Sequence, residues 1–209
     1  MSAVADNGAG TRQRIVASGL RLFADKGFRG TTVGQIEEAA GLTARAGAMY
    51  KHFESKEAVL EAAVEENVRE LEALHSAIEL MPLGDLRAEL TLLARWGLHV
   101  LAQQRDLRRI VIAEGDRFPE LKRSFRDRIV DRAYGEAQTF IGRKVDAREL
   151  PEVDGDALAV LLTGALLGYT LERDVFERDP AGVDEERFVA ALVNACMALA
   201  NPRKEADDG

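Results

Sequence analysis

Between Thr31 and Lys56 the chain gathers hydroxyl, guanidinium, ammonium and imidazole groups. They belong to Thr31, Thr32, Thr43, Arg45, Tyr50, Lys51, His52 and Lys56, set around the small residues Ala46, Gly47 and Ala48. None of them stands beside the base, acid or second ligand that nucleophilic or metal chemistry requires. Their joint capacity is to hold a polyanion. Arg45 carries the forked donor that matches the edge of a guanine, and Thr43 fits a phosphate or a thymine methyl. Small side chains at Ala46, Gly47 and Ala48 let the backbone come close to a duplex. Tyr50, Lys51, His52 and Lys56 suit phosphate oxygens, and Lys56 lies in the first turn of a helix, whose free N–H groups favour an anion. Taken singly, each basic residue is as well explained by simple solvation, and the Tyr50 and Phe53 rings by core packing; only their shared spacing points to a duplex.

That spacing needs a frame. Periodicity is helical throughout, with no sustained alternation to mark a strand. Arg12 to Lys26 reads as a first helix with Ile15, Val16, Gly19, Leu22 and Phe23 on one face, stopped by Gly27. Thr32 followed by Gln35 is a capping-box pattern, opening a short second helix that Gly41 ends. Thr43 is the natural N-cap of a third short helix reaching Tyr50 or His52. Ser55 caps a long fourth helix running towards Pro82. Two short helices joined by a glycine turn, behind a supporting helix, make a helix-turn-helix, whose second helix is shaped for the major groove. Further helices are expected from Asp85, over Leu107 to Ala113, from Pro119 through Phe140, over Ala157 to Phe176, and after Pro180. The stretch from Ala157 to Phe176 is apolar on nearly all sides, so it is expected to be buried between neighbours. The fold class is all-α, a three-helix head followed by a helical bundle. The expected division is a head at 11–55 and a body at 56–201, with frayed tails at 1–10 and 202–209.

Composition bounds the possibilities. The 209 residues carry 28 Lys/Arg and 36 Asp/Glu, a net charge of −8, which excludes a uniformly basic nucleic-acid coat. The charge is uneven. Up to Lys56 there are eight basic and five acidic residues, a surplus of three positive charges, while the remainder is strongly acidic. An acidic body with a basic head suits a protein that meets a polyanion at one end. The single cysteine, Cys196, excludes a disulfide framework and a cysteine metal cluster, and no cofactor motif is present. The amino-terminal stretch is no secretory signal, and no apolar run reaches the ~20 residues of a membrane span. The expected setting is the cytoplasm, with no membrane partner.

The residues Arg12, Ile15, Leu22-Phe23, Gly27-Phe28, Thr31-Thr32, Ile36, Ala40-Gly41, Tyr50, His52-Phe53 and Ser55-Lys56 together resemble the DNA-binding head of TetR-type transcriptional regulators. The resemblance covers about the first quarter of the chain, and its multi-point pattern is specific. Two departures stand out. Gly41 to Tyr50 is two residues longer than the commonest form of the family, and Glu37 stands where the family usually has a small alanine facing the third helix.

The resemblance implies a homodimeric repressor of a palindromic DNA operator, released by a small-molecule effector bound among the middle helices. Trp96, His99 and Gln103 share a helical face, and Phe125, Tyr134 and Gln138 lie on the following long helix, so these six are candidates for a largely apolar pocket. The apolar carboxy-terminal helices suit a dimer seam, with Leu162, Gly164, Gly168, Phe188, Leu192 and Cys196 as candidates; intrachain core is the competing account. Two rival functions remain: an architectural DNA-binding protein without an effector, and a helical-bundle enzyme, for which no catalytic constellation is found.

Overall fold

A computed structural model describes residues 3–79 and 83–200. Among them the elements are helical: α1 (Ala3–Gly30), α2 (Val33–Ala39), a 3₁₀ turn (Met49–Lys51), α3 (Lys56–Glu79), α4 (Leu86–Gln103), α5 (Arg105–Glu114), α6 (Pro119–Phe125), a π-helical stretch (Arg126–Val130), α7 (Asp131–Asp146), α8 (Gly155–Phe176), a second 3₁₀ turn (Pro180–Gly182) and α9 (Glu185–Ala200). Pro82 and the expected tail at 202–209 lie outside the described residues, and α1 starts ahead of Arg12, at Ala3.

Local signals explain most boundaries. Gly27 takes φ 73° and interrupts α1 where a stop was expected. The Thr32 hydroxyl accepts from the Gln35 amide at 3.3 Å while the Gln35 side chain accepts from the Thr32 amide at 2.9 Å, a reciprocal capping box. Ser55 caps α3 by accepting from Ala58, Asp85 caps α4 by accepting from Arg87 and Ala88, and Asp154 caps α8 by accepting from Ala157. Pro119 opens α6 at its first turn, where a missing N–H costs nothing. The expected single helix from Pro119 through Phe140 is instead widened by the π-helical stretch. Side chains after it are rotated out of phase with those before it.

The chain forms two compact units, one from residues up to 70 together with 104–129, the other from 71–103 with the residues from 130 onward. In the first unit Ile15, Ile36 and Val59 are fully buried, each contributing about 1.5–3 kcal/mol by leaving water. Helices α1 and α3 approach so closely that a Cβ at Gly19 would lie 2.8 Å from Cγ1 of Val59. Phe28 anchors the end of α1, its ring 4.9 Å from Phe23 and 4.7 Å, edge-on, from Phe118.

In the second unit Leu86, Phe140, Ile141, Leu150 and Ala159 form one core cluster, and Ala94, Leu98, Tyr169, Val189 and Val193 form another. A charged group is sealed beside the first. Lys144 is ion-paired to Glu89 and Glu149, and the Glu89 carboxylate also accepts from the Leu83 amide at 2.7 Å. Paired this way, Lys144 titrates above the ordinary lysine range: burial alone would lower it, and the hydrogen bonds to Glu89 and Glu149 outweigh that.

Helix α8 departs from expectation. Only Ala159, Tyr169 and Thr170 are buried, while Val160, Leu161, Val175 and Phe176 are each more than half exposed. Its apolar character serves one inward stripe and leaves another uncovered.

Candidate nucleic-acid interface

The third helix expected from Thr43 does not form. Helix α2 ends in a Schellman motif at Gly41 (φ 72°), with the Leu42 amide donating to the Glu37 carbonyl at 2.8 Å and the Gly41 amide to the Glu38 carbonyl at 3.0 Å. Two successive turns follow. The Ala46 amide donates to the Thr43 carbonyl at 3.3 Å, and the Tyr50 amide to the Gly47 carbonyl at 3.1 Å. Within them Arg45 (φ 61°) and Gly47 (φ 67°) are left-handed, which a right-handed helix cannot contain. The physical reason lies in the extra length and in Gly47, which weakens a helix by about 1 kcal/mol relative to alanine and is at ease with positive φ. Regular winding resumes only at the 3₁₀ turn, where the His52 amide donates to the Met49 carbonyl at 2.9 Å.

This irregular segment is nonetheless presented outward. Thr43, Ala44, Arg45, Ala46, Tyr50 and Lys51 are exposed, and Gly47 and His52 are half-buried. Met49 and Phe53, within 5% of full burial, tie its far end into the core. The Arg45 stem lies over α2: a Cβ on Gly34 would meet its Cγ at 3.1 Å. Thr32 is exposed at the start of α2. The residues brought together on the surface are therefore Thr32, Thr43, Arg45, Ala46, Tyr50 and Lys51.

Two expected contact residues have other partners. Thr31 is buried, its hydroxyl donating to the carbonyls of Leu22 and Gly27, both at 3.0 Å. Lys56 donates to the carbonyls of Phe28 at 2.8 Å and Thr31 at 2.7 Å, and its ammonium sits 4.4 Å from the centre of the Phe28 ring. Both side chains build the head, tying backbone carbonyls of the last turns of α1 and of the residue that follows it. One residue gained a role that spacing did not show. Glu37 is fully buried, and its carboxylate accepts from the Met49 amide at 3.0 Å. The available signal was a charged residue between the core positions Ile36 and Ala40.

Comparison with known proteins decides what this head belongs to. Residues 15–63 match the profile of bacterial regulatory proteins of the tetR family, and residues 88–199 match that of the AefR-like transcriptional repressor carboxy-terminal domain. The chain belongs to the TetR family. It is a DNA-binding transcriptional regulator. An HTH-type regulator of Bacillus subtilis, YerO, is 46% identical over 54 residues, which cover 26% of this chain and 18% of that protein. AcrR of Shigella flexneri is 40% identical over 70 residues, 32% of either chain. The match thus spans a third or less of these curated relatives. A TetR-family protein from Mesorhizobium loti superimposes with a TM-score of 0.68 at 25% identity, over 91% of this chain and 96% of the other. The reduced form of Escherichia coli NemR gives 0.69 at 20% identity, over 92% and 99%, a likeness of fold.

In the body of this TetR-family chain the candidate pocket and seam residues differ in burial. His99, Gln103 and Gln138 are exposed, and Trp96, Phe125 and Tyr134 are half-buried, so the polar members of the expected pocket face solvent. Helix α4 turns Ala94 and Leu98 inward, which carries His99 and Gln103 outward. Among the seam candidates, Cys196 is buried, and burial pushes its thiol above the ordinary cysteine range. Phe188 stacks on Tyr169 at 4.2 Å, and Leu162 and Leu192 pack against the intrachain clusters. Gly164 and Gly168 face open space, with nothing within 4 Å of a Cβ at either position. Among the described residues no group of three His, Cys, Asp or Glu is placed to hold a metal, and no helix is long and apolar enough to cross a membrane.

Proposed function

We propose that this TetR-family regulator is a homodimeric repressor that binds a palindromic operator and leaves it when a small, mostly apolar molecule binds the body. The observation that carries this reading is the exposed segment Thr43 to Lys51, which offers Arg45, Thr43, Tyr50 and Lys51 on one outward element of a TetR head. Arg45 reads guanine, Thr43 and Lys51 hold phosphates, and Tyr50, 59% exposed, stacks against the sugar–phosphate chain. The Lys56 side chain is excluded from this set, although the amino-terminal end of α3 still offers backbone N–H groups to a phosphate.

Dimerisation is supported by α8. Leu161, Gly164, Gly168 and Val175 recur at helical spacing along one face, Val160 and Phe176 flank it, and all are exposed. On α9, Leu199 is 42% exposed beside the exposed alanines Ala191, Ala195 and Ala198. A contiguous apolar face of this kind favours a self-complementary two-fold contact. The effector is a proposal resting on family membership, since the polar candidates for its site lie on the surface. Selection of bound duplexes from a random pool tests the reading. A symmetric consensus with half-sites about 34–36 Å apart is the expected result; an asymmetric site, or none, would reject it.

A further inference from the structure

We infer that Glu37 is a positioning residue for DNA reading: its buried carboxylate is a through-space cap that sets the angle at which the Thr43 to Lys51 segment meets a duplex. The inference rests on the DNA reading above and concerns how that element is held. The 3₁₀ turn at Met49 begins with an N–H that needs an acceptor, and Ala48, at its N-cap, has no side chain to supply one. Glu37, twelve residues earlier on α2, fills that role with Oε1 at 3.0 Å from the Met49 nitrogen. Both residues are fully buried, so no water competes for the bond. The other carboxylate oxygen, Oε2, is buried and has no hydrogen-bond partner.

That asymmetry separates positioning from simple stabilisation. A carboxylate with one oxygen satisfied and one stranded contributes little net stability, because the stranded oxygen loses its hydration without return. What the arrangement does supply is direction. The segment between Gly41 and Met49 has only turn hydrogen bonds of its own and two left-handed residues, Arg45 and Gly47. It is fixed to α2 at the Schellman end, at Gly34 where the Arg45 stem lies, and at Glu37. Of these, only the Glu37 bond is directional and buried at the end from which Tyr50 and Lys51 project. Without it Met49 and Phe53 still anchor the far end by their side chains, but the backbone entering the turn at Met49 loses the bond that fixes its direction relative to α2.

The test uses the full-length protein, the duplex it selects from a random pool, and a random-sequence duplex. Glu37→Met keeps the volume and removes the acceptor, whereas Glu37→Gln keeps an oxygen that accepts. For E37M the expected result is parental affinity for random duplex and a preference for the selected duplex reduced about tenfold or more, the scale of one lost bidentate base contact. E37Q is expected to retain the preference. A discriminating parent whose E37M variant discriminates equally well overturns this inference alone, and so does an E37Q variant that loses preference as E37M does. A parent with no preference for any duplex overturns the DNA reading and this inference with it. Should E37M fail to fold, hydrogen exchange in the parent decides: a protected Met49 amide supports the cap, and exchange at the rate of an unstructured amide overturns it.

Discussion

The Glu114 carboxylate accepts a hydrogen bond from the Phe28 amide at 2.6 Å, joining residues 86 positions apart in the chain. It closes the end of α1 from outside. Gly27 has just turned the backbone, and a Cβ there would lie 3.3 Å from the same carboxylate oxygen. Phe118, four residues after Glu114, sets its ring edge-on against Phe28, so the amide and the aromatic ring of one residue are held by one short stretch of chain. The end of α5 is thereby part of the frame that carries the reading segment, although it lies far downstream of the head in sequence.

Replacing Glu114 with alanine strands a partly buried amide and removes a charge-assisted bond. The expected loss of stability is about 1.5–3 kcal/mol, read as a lower urea midpoint. Glu114→Gln, whose amide oxygen still accepts, loses less.

The Lys144–Glu89 pair gives a larger effect. Glu89 is fully buried and Lys144 nearly so. Lys144→Met leaves Glu89 and Glu149 without their cation, and loss of one partner of a buried pair costs about 3–5 kcal/mol. Chemical denaturation of the two proteins at neutral pH checks this.

The same pair sets a pH dependence. Because the folded Lys144 is raised above its unfolded value, its contribution is complete below the ordinary lysine range and disappears as pH rises through the raised folded value. Urea midpoints of the parent are expected to hold through mildly alkaline pH and to fall beyond the lysine range. In Lys144→Met the component owed to this residue is absent.

On DNA, Arg45→Ala is expected to relax base preference at one position of each half-site. Lys51→Ala is expected to weaken all duplexes alike and to lower the slope of log affinity against log salt by about one. Binding titrations over a salt series separate the two. Lys56→Ala belongs to another class: by freeing the carbonyls of Phe28 and Thr31 it lowers the melting temperature of the head.

The exposed stripe on α8 predicts an oligomeric change. Leu161→Arg places a charge on the proposed two-fold face and is expected to yield monomers in sedimentation, with the fold intact by circular dichroism. Affinity for the two-fold operator falls with it, because each monomer holds one half-site.

Much of this architecture could be read from local chemistry. Thr32 with Gln35, Ser55, Asp85 and Pro119 announce helix starts through their own side chains or ring, and each acts on atoms within a few residues. Thr43 carries the same signal and fails, because a cap selects a helix only where the residues after it accept right-handed winding. Arg45 and Gly47 do not. The destinations of Thr31 and Lys56 were hidden for a different reason: backbone carbonyls accept from both, and a residue type does not reveal which acceptor it will find. Leu162, Phe188 and Leu192 pack within the chain while Gly164 and Gly168 stay exposed, and His99, Gln103 and Gln138 lie on the surface; a shared helical face says which residues lie together and not which way the face turns.

The knot around Lys56 bears on how strongly the head is drawn to a nucleic acid. An ammonium already held by two carbonyl oxygens and an aromatic face has one hydrogen left to offer, and would have to break good contacts to displace a condensed counterion. Its charge belongs to the interior economy of the head more than to its outer field. The number of ions released on association should therefore be smaller than a tally of lysines and arginines along the chain suggests, and the complex correspondingly more tolerant of salt.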